Sequence, residues 1–200
     1  MYESCIKRLL DLILSLAACV VLAIPMGIIA LWIKADSPGP VFFKQRRVGK
    51  GKTHFNILKF RTMRGDTPHD VPTHLLKNAD SYITKSGAFL RRTSLDELPQ
   101  IYNILKGDMS IVGPRPERPE LAAELEKEIP EFSFRLQVKA GLTGYAQVYG
   151  KYNTTPYDKL KLDLTYIRNY SVLEDLKLII MTPKIMLMKE STEGVKEEQK

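Results

Sequence analysis

Residues 12–33 carry no charge, and this run of twenty-two residues limits what the rest of the chain can become. As a straight helix it reaches about 33 Å, enough to cross a hydrocarbon core of about 30 Å. A cleaved secretion signal fits poorly. Its apolar core is only about 7–15 residues long and ends at a small-residue site, whereas this run continues to Trp32 and Lys34. We read it as a retained membrane segment. Pro25 and Gly27 fall near its middle, and a proline inside a helix removes one backbone hydrogen bond and crowds the turn before it. Lys7 and Arg8 precede the run, while Lys34, Lys44, Arg46 and Arg47 follow it. Lys and Arg mark cytoplasmic flanks, so both ends read as cytoplasmic. One crossing cannot satisfy both. A helix broken at Pro25 that enters and leaves by the same face does, with arms of about 11 residues, or roughly 16 Å. A simple span with a tolerated proline kink is the alternative. Asp11 lies at the rim, with Lys7 or Arg8 one turn earlier as its expected partner, an anchor rather than a catalytic group.

At 44% hydrophobic and 26% charged, the 200 residues are able to bury a core, which excludes a wholly disordered chain. Cys5 and Cys19 are the only cysteines, so neither a disulfide scaffold nor a Cys-built zinc site is available. The net charge of +7 points to an anionic partner: nucleic acid, anionic lipid or a phosphorylated ligand. The charge is concentrated. Between Lys34 and Arg64 there are nine Lys/Arg and one Asp. Directly after a membrane segment, such a stretch suits anionic headgroups, at about 1 kcal/mol per basic residue. It also suits a phosphorylated substrate, and a solvated basic face is the plain alternative.

The expected fold class is α+β, mainly helical. Residues 1–36 form the membrane-embedded helix, 37–188 a compact cytoplasmic domain, and 189–200 a flexible polar tail. Ser37-Pro38-Gly39-Pro40 ends the helix. Residues 41–44 and 53–60 read as a small β-hairpin around the 49–52 turn. Residues 65–80 read as a polar loop with His69 and His74, whose spacing fits no zinc hydrolase. Residues 83–105 look helical in two pieces broken at Pro99, 107–119 irregular, 120–128 a short acidic helix, and 141–144 a turn. Residues 157–170 and 172–188 read as amphipathic helices, for the core or for the headgroup plane.

No phosphate-binding Gly-rich loop of the Walker or Rossmann kind is present. Chemistry concentrates instead in the segment from Arg91 to Gln100, where two adjacent carboxylates, Asp96 and Glu97, follow two arginines. Ser94 and Glu97 match a capping box, although that register puts Pro99 inside the helix it would start. Near a helix start the dipole and Arg91 favour an ionised Asp96. Such a carboxylate can attack phosphorus or hold Mg²⁺ against phosphates; an ordinary acidic pair at a helix start is the alternative. Gly113-Pro114-Arg115-Pro116 fixes the backbone around one arginine, whose planar fork suits a phosphate or a base.

Taken in order, five blocks carry a resemblance. They are Lys7-Arg8-x-x-Asp11, Gly39-Pro40-Val41-Phe42-Phe43-x-Gln45-x-Arg47-x-Gly49 with Lys59-Phe60-Arg61-Thr62-Met63, Ser94-Leu95-Asp96-Glu97-Leu98-Pro99-Gln100, Asn103-x-Leu105-x-Gly107-Asp108-Met109-Ser110-x-Val112-Gly113-Pro114-Arg115-Pro116, and Gly141-Leu142-Thr143-Gly144-x-Ala146-Gln147-Val148-x-Gly150. The chain resembles the bacterial sugar transferases, the monotopic phosphoglycosyl transferases that begin glycoconjugate assembly, in their short minimal form. That resemblance implies transfer of a sugar-1-phosphate from a UDP-sugar to polyprenol (undecaprenyl) phosphate, with release of UMP. It implies a covalent phosphosugar–aspartyl intermediate on Asp96, with Glu97 beside it and Mg²⁺ held at Asp96. Lys59, Arg91 and Arg115 match phosphate-binding positions, and Pro114, Arg115 and Pro116 the nucleotide loop. The lipid bilayer is then a partner and nucleic acid is not; a homodimer is compatible. The implied location is the cytoplasmic face of the bacterial inner membrane. Some relatives carry Ser before the membrane proline matched by Pro25; this chain has Ile24. The rival reading is a membrane-tethered basic binder of acidic lipid or nucleic acid, whose affinity would collapse with salt.

Overall fold

The computed structural model describes residues 5–67, 79–150 and 153–187; the predicted tail at 189–200, and His69 and His74, lie outside them. Helix α1 spans Lys7–Asp36. Among the described residues it alone is long and apolar enough to cross a membrane. The break expected at Pro25 does not form, and the helix runs through it without interruption. A proline removes a single intrahelical bond, and the apolar helix formers around it sustain the turns on either side.

Both ends of α1 dock on the same body. At the first turn Lys7 pairs with Asp175, and Arg8 donates to the carbonyls of Ile104 and Leu105 at 2.6 and 2.8 Å. The carboxylate of Asp11 accepts from the Ser110 hydroxyl and the Ile111 N–H at 3.1 and 2.9 Å. The expected local pairing of Asp11 with Lys7 or Arg8 is therefore not made. Distant backbone and hydroxyl donors satisfy it, and the anchor role survives with different partners. At the last turn the Asp36 carboxylate accepts from the N–H and hydroxyl of Ser86, while Ile29 and Ile33 pack with Phe60 and Leu90. Between the two docked ends the apolar surface is bare: Val20, Val21 and Ile24 are more than 70% exposed.

Strands β1 (Phe42–Val48) and β2 (His54–Phe60) form the expected antiparallel hairpin, with Phe42 opposite Phe60 and Val48 opposite His54. The first strand is longer than the sequence suggested, because Gln45–Val48 keeps pairing up to the turn. Gly51, with φ of 63°, makes that turn possible. Phe55 and Ile57 face inward against Ile104, Met109 and Ala140.

Helix α2 covers Lys85–Thr93, α3 Gln100–Lys106, and strand β3 Met109–Val112. Helix α4 covers Pro119–Glu128, and strand β4 covers Ala140–Thr143, parallel to β3. The sequence reading had β3 inside an irregular stretch and β4 as a turn. Four residues are too few for a period-two pattern to stand out. Their crossover, through α4 and a 3-10 segment at Pro130–Gln137, has the length that parallel strands need. A Cβ on Gly141 would sit 2.1 Å from the Gly113 nitrogen, so the glycines permit this close pairing.

Helices α5 (Tyr145–Tyr149), α6 (Pro156–Asn169) and α7 (Val172–Leu187) complete the fold. Tyr166 of α6 and Leu178 of α7 join Val112 and Val148 in the core. Leu173 and Ile180 of α7 stay exposed. Mainly helical with two small two-stranded sheets, the architecture agrees with the expected class.

Candidate active site

The acidic pair owes its position to the leucines around it. Helix α2, capped by Thr84, which accepts from the Gly87 N–H at 3.0 Å, ends at Ser94 in the left-handed conformation (φ 55°). A single 3-10 turn, Leu95–Glu97, follows. Leu95 and Leu98 pack inward against the Ile29–Ile33–Phe60–Leu90 cluster, which leaves the two carboxylates between them facing out of the core.

This differs from the sequence reading in three ways. The 83–105 segment breaks first at Ser94, and Pro99 precedes α3 as its N-cap, where its missing N–H costs no helix bond. The capping box does not form. Ser94 makes no side-chain cap bond, and Glu97 is drawn to cations instead. No helix dipole lowers Asp96, which sits on an isolated turn, and burial pushes its carboxyl above the usual value, against the pull of Lys59.

Lys59 reaches the pair from β2. Its ammonium donates to Glu97 Oε1 at 2.8 Å and stands 4.0 Å from Asp96 Oδ2. Arg115 arrives from the loop after β3 and forks onto Glu97, Nη1 to Oε2 at 3.1 Å and Nη2 to Oε1. Burial opposes ionisation of Glu97, but Arg115 and Lys59 hold it well below the usual carboxylate range. Glu97 in turn raises the pKa of Arg115. Arg91 on α2 donates Nε to Thr62 Oγ1 at 2.9 Å. Burial lowers its pKa, and Asp96 is the leading charge that opposes the drop. The Asp96 carboxylate itself accepts no hydrogen bond from a described residue, and its side chain is 14% exposed. Asp96, Glu97, Lys59 and Arg115 thus converge, with Arg91 in electrostatic range.

A profile for bacterial sugar transferases matches residues 2–189. The chain belongs to that family. A UDP-glucose:undecaprenyl-phosphate glucose-1-phosphate transferase of Xanthomonas campestris pv. campestris is 45% identical over 181 residues, covering 88% of this chain and 37% of the relative. A UDP-N-acetylgalactosamine-undecaprenyl-phosphate N-acetylgalactosaminephosphotransferase of Aeromonas hydrophila is 38% identical over 186 residues, 91% of this chain and 44% of the relative. The chain therefore spans less than half the length of these two relatives. An exopolysaccharide production protein PSS of Rhizobium leguminosarum bv. phaseoli is 42% identical over 187 residues, 88% of this chain and 92% of the relative.

In this family member the Pro114–Arg115–Pro116 loop is held from behind by Arg135 and Arg47, neither of which the sequence marks as part of the site. Arg135 Nη2 donates to the Arg115 carbonyl at 3.0 Å, and Arg47 Nη1 donates to the Pro116 carbonyl at 3.0 Å. Arg135 and Asp163 form a nearly inaccessible ion pair at 2.6 Å, with Glu117 3.6 Å from the same guanidinium. Arg47 was read as part of a basic surface; it is a brace. No local pattern marks Arg135, because its partners come from α6 and from a loop twenty residues earlier.

The donor set offers a metal little beyond one carboxylate. Among the described residues no three His, Cys, Asp or Glu side chains cluster, and Glu97 is occupied by two cations. Asp96, which accepts no hydrogen bond from a described residue and has Lys59 as its ion-pair partner at 4.0 Å, has the donor chemistry for Mg²⁺, which takes one or two carboxylates and completes its shell with substrate phosphate and water.

Proposed function

We propose that this sugar transferase is a phosphoglycosyl transferase that moves a sugar-1-phosphate from a UDP-sugar to undecaprenyl phosphate, an opening membrane step of polysaccharide assembly. The observation that carries the reading is the division of labour in the acidic pair. Glu97 is saturated by Lys59 and Arg115, while Asp96 accepts no hydrogen bond from a described residue and stands 4.0 Å from the Lys59 ammonium. The relatives' names supply the substrate class.

An Asp96 oxygen attacks the phosphorus that bears the sugar. The new O–P bond forms as the bond from that phosphorus to the UMP oxygen breaks, and UMP leaves. An oxygen of the lipid phosphate then attacks the same phosphorus and frees Asp96. A diphosphate repels a carboxylate, so Lys59, Arg91 and Arg115 neutralise the phosphoryl oxygens as charge builds on the leaving group. Asp96 would hold Mg²⁺, which would add Lewis-acid neutralisation of the phosphoryl oxygens. Arg115 keeps N–H donors beyond the two on Glu97 for the nucleotide phosphate, with Pro114 and Pro116 setting its loop. Glu97 positions those two cations. Because the acceptor is already an anion, no strong base is needed.

The membrane reading belongs to the same proposal: α1 enters and leaves by one face, bending near Pro25 without a break in the helix, and holds the site at headgroup depth on the cytoplasmic face of the inner membrane. What supports it is the docking of both helix ends on one body, with bare apolar surface between.

The test is Asp96→Asn in purified enzyme given a UDP-sugar. Wild type forms a phosphosugar adduct and releases UMP; the variant forms none. UMP release by the variant at the wild-type rate overturns the assignment. A panel of UDP-sugars with polyprenol phosphate then identifies the sugar.

A further inference from the structure

A second cationic cavity lies at the root of α1, away from the acidic pair. Its volume is about 360 Å³, and Lys7, Arg8, Asp11, Lys50, Lys139 and Tyr170 are among its lining residues. The charges do not cancel. Asp11, the acid in this set, is 4% exposed and already satisfied by the Ser110 hydroxyl and the Ile111 N–H. Lys7 is matched by Asp175. Arg8 spends two donors on the carbonyls that end α3. Lys139 has neither ion pair nor hydrogen bond among the described residues.

Lys139 and Arg8 are also close to one another, since both come within 4 Å of a Cβ built on Gly107. Burial lowers the pKa of Lys139, and the neighbouring Arg8 lowers it further, against a smaller opposing pull from Asp11 and Asp108. Two adjacent cations at a cavity whose lining carboxylate, Asp11, is already engaged by Ser110 and Ile111 are an arrangement that raises the energy of the empty protein. Binding a compact anion would relieve it.

We propose that this cavity binds the phosphate group of an anionic phospholipid, with Arg8, Lys50 and Lys139 as its cationic contacts. The location favours a lipid over a soluble anion. On the outward side of the same first turns, Leu9, Ile13 and Leu16 are 58%, 55% and 61% exposed, a surface along which acyl chains can lie while the headgroup enters the cavity. The bound lipid would pin the start of α1 to the globular body independently of the transfer site. The headgroup depth of the cavity rests on the membrane reading of α1 above.

The experiment is a thermal-unfolding titration of the full chain in neutral detergent with short-chain phosphatidylglycerol, phosphatidylcholine or inorganic phosphate, and no nucleotide sugar. It is blind to catalysis, and in detergent the topology of α1 does not govern access, so its failure is separable from failure of the function. Phosphatidylglycerol should raise the wild-type melting temperature saturably and phosphatidylcholine should not. Lys139→Gln with Lys50→Gln should weaken half-saturation roughly 30-fold, which corresponds to about 2 kcal/mol. Lys127→Gln, an exposed charge loss on α4, should respond as wild type does. Without lipid, Lys139→Gln should melt at or above the wild-type temperature, which guards against a folding defect. An equal phosphatidylglycerol response in wild type and the double variant overturns the site. An equal response to inorganic phosphate overturns the lipid assignment.

Discussion

Arg115 grasps both carboxylate oxygens of Glu97, while Asp96, its neighbour on the same turn, accepts no hydrogen bond from a described residue. Adjacent carboxylates of like charge are thereby given separate tasks, one as a clamp for cations and one left open. Removing either side of the clamp disorders Lys59 and Arg115 without touching Asp96. Glu97→Gln and Arg115→Ala should each slow adduct formation on Asp96 by about 100-fold, the size of losing one preorganised charge-stabilising contact. Because they share one contact, the double variant should fall well short of the product of the two losses. Rapid-quench measurement of the adduct reads all three; strict additivity would show that Glu97 and Arg115 act separately.

The brace behind the Arg115 loop makes a different prediction. Asp163 is 1% exposed and pairs with Arg135. Arg135→Met leaves that carboxylate buried without its cation, which costs about 3–5 kcal/mol, and frees the Arg115 carbonyl. Chemical denaturation should show the loss, and Asp163→Asn in the same chain should recover part of it. In variants that still fold, KM for the UDP-sugar should rise more than kcat falls, since the loop positions the nucleotide and Asp96 stays in place.

The parts of this molecule that could be read in the sequence are those encoded by local pattern. The apolar run of α1, the hairpin with its Gly-rich turn, and the amphipathic α6 and α7 all announce themselves by period and punctuation. The acidic pair and the Arg115 loop were found as motifs, yet nothing local says that the loop closes on Glu97. That contact is made by the parallel pairing of β3 with β4, whose four-residue strands give too short a signal to read. The capping-box reading of Ser94 failed for a related reason. The local rule was sound, but Lys59 and Arg115, from elsewhere in the chain, offered Glu97 stronger partners than one backbone N–H. Arg135 was invisible because buried ion pairs have no sequence period.

Gly87 ties α2 to Thr62, two residues beyond the strand that carries Lys59. A Cβ there would sit 2.0 Å from the Thr62 carbonyl oxygen, which is backbone and cannot rotate away. That same carbonyl accepts from the Thr84 N–H, and the Thr62 hydroxyl accepts from Arg91. Gly87→Ala should therefore cost about 1–3 kcal/mol through overpacking, despite the better helix propensity of Ala. It should also displace Arg91 from the phosphate-binding side. Denaturant midpoints and UMP release should both fall; an unchanged midpoint would mean that the approach of α2 to Thr62 is looser than the geometry indicates.

Topology can be tested with a native residue. Cys5 is exposed just before α1, two residues ahead of Lys7, which docks on Asp175. The far end of α1 docks through Asp36 on Ser86. A straight helix of this length separates its ends by about 45 Å, and a bilayer core between them would keep one of the two from the shared body. In a Cys19→Ser background, a membrane-impermeant maleimide should therefore modify Cys5 in inverted inner-membrane vesicles and leave it intact in spheroplasts. A cysteine at Lys52 in the hairpin turn should behave identically. Opposite labelling of the two positions would require α1 to span, and the docking of its first turn on α7 would then have to be lost in the membrane.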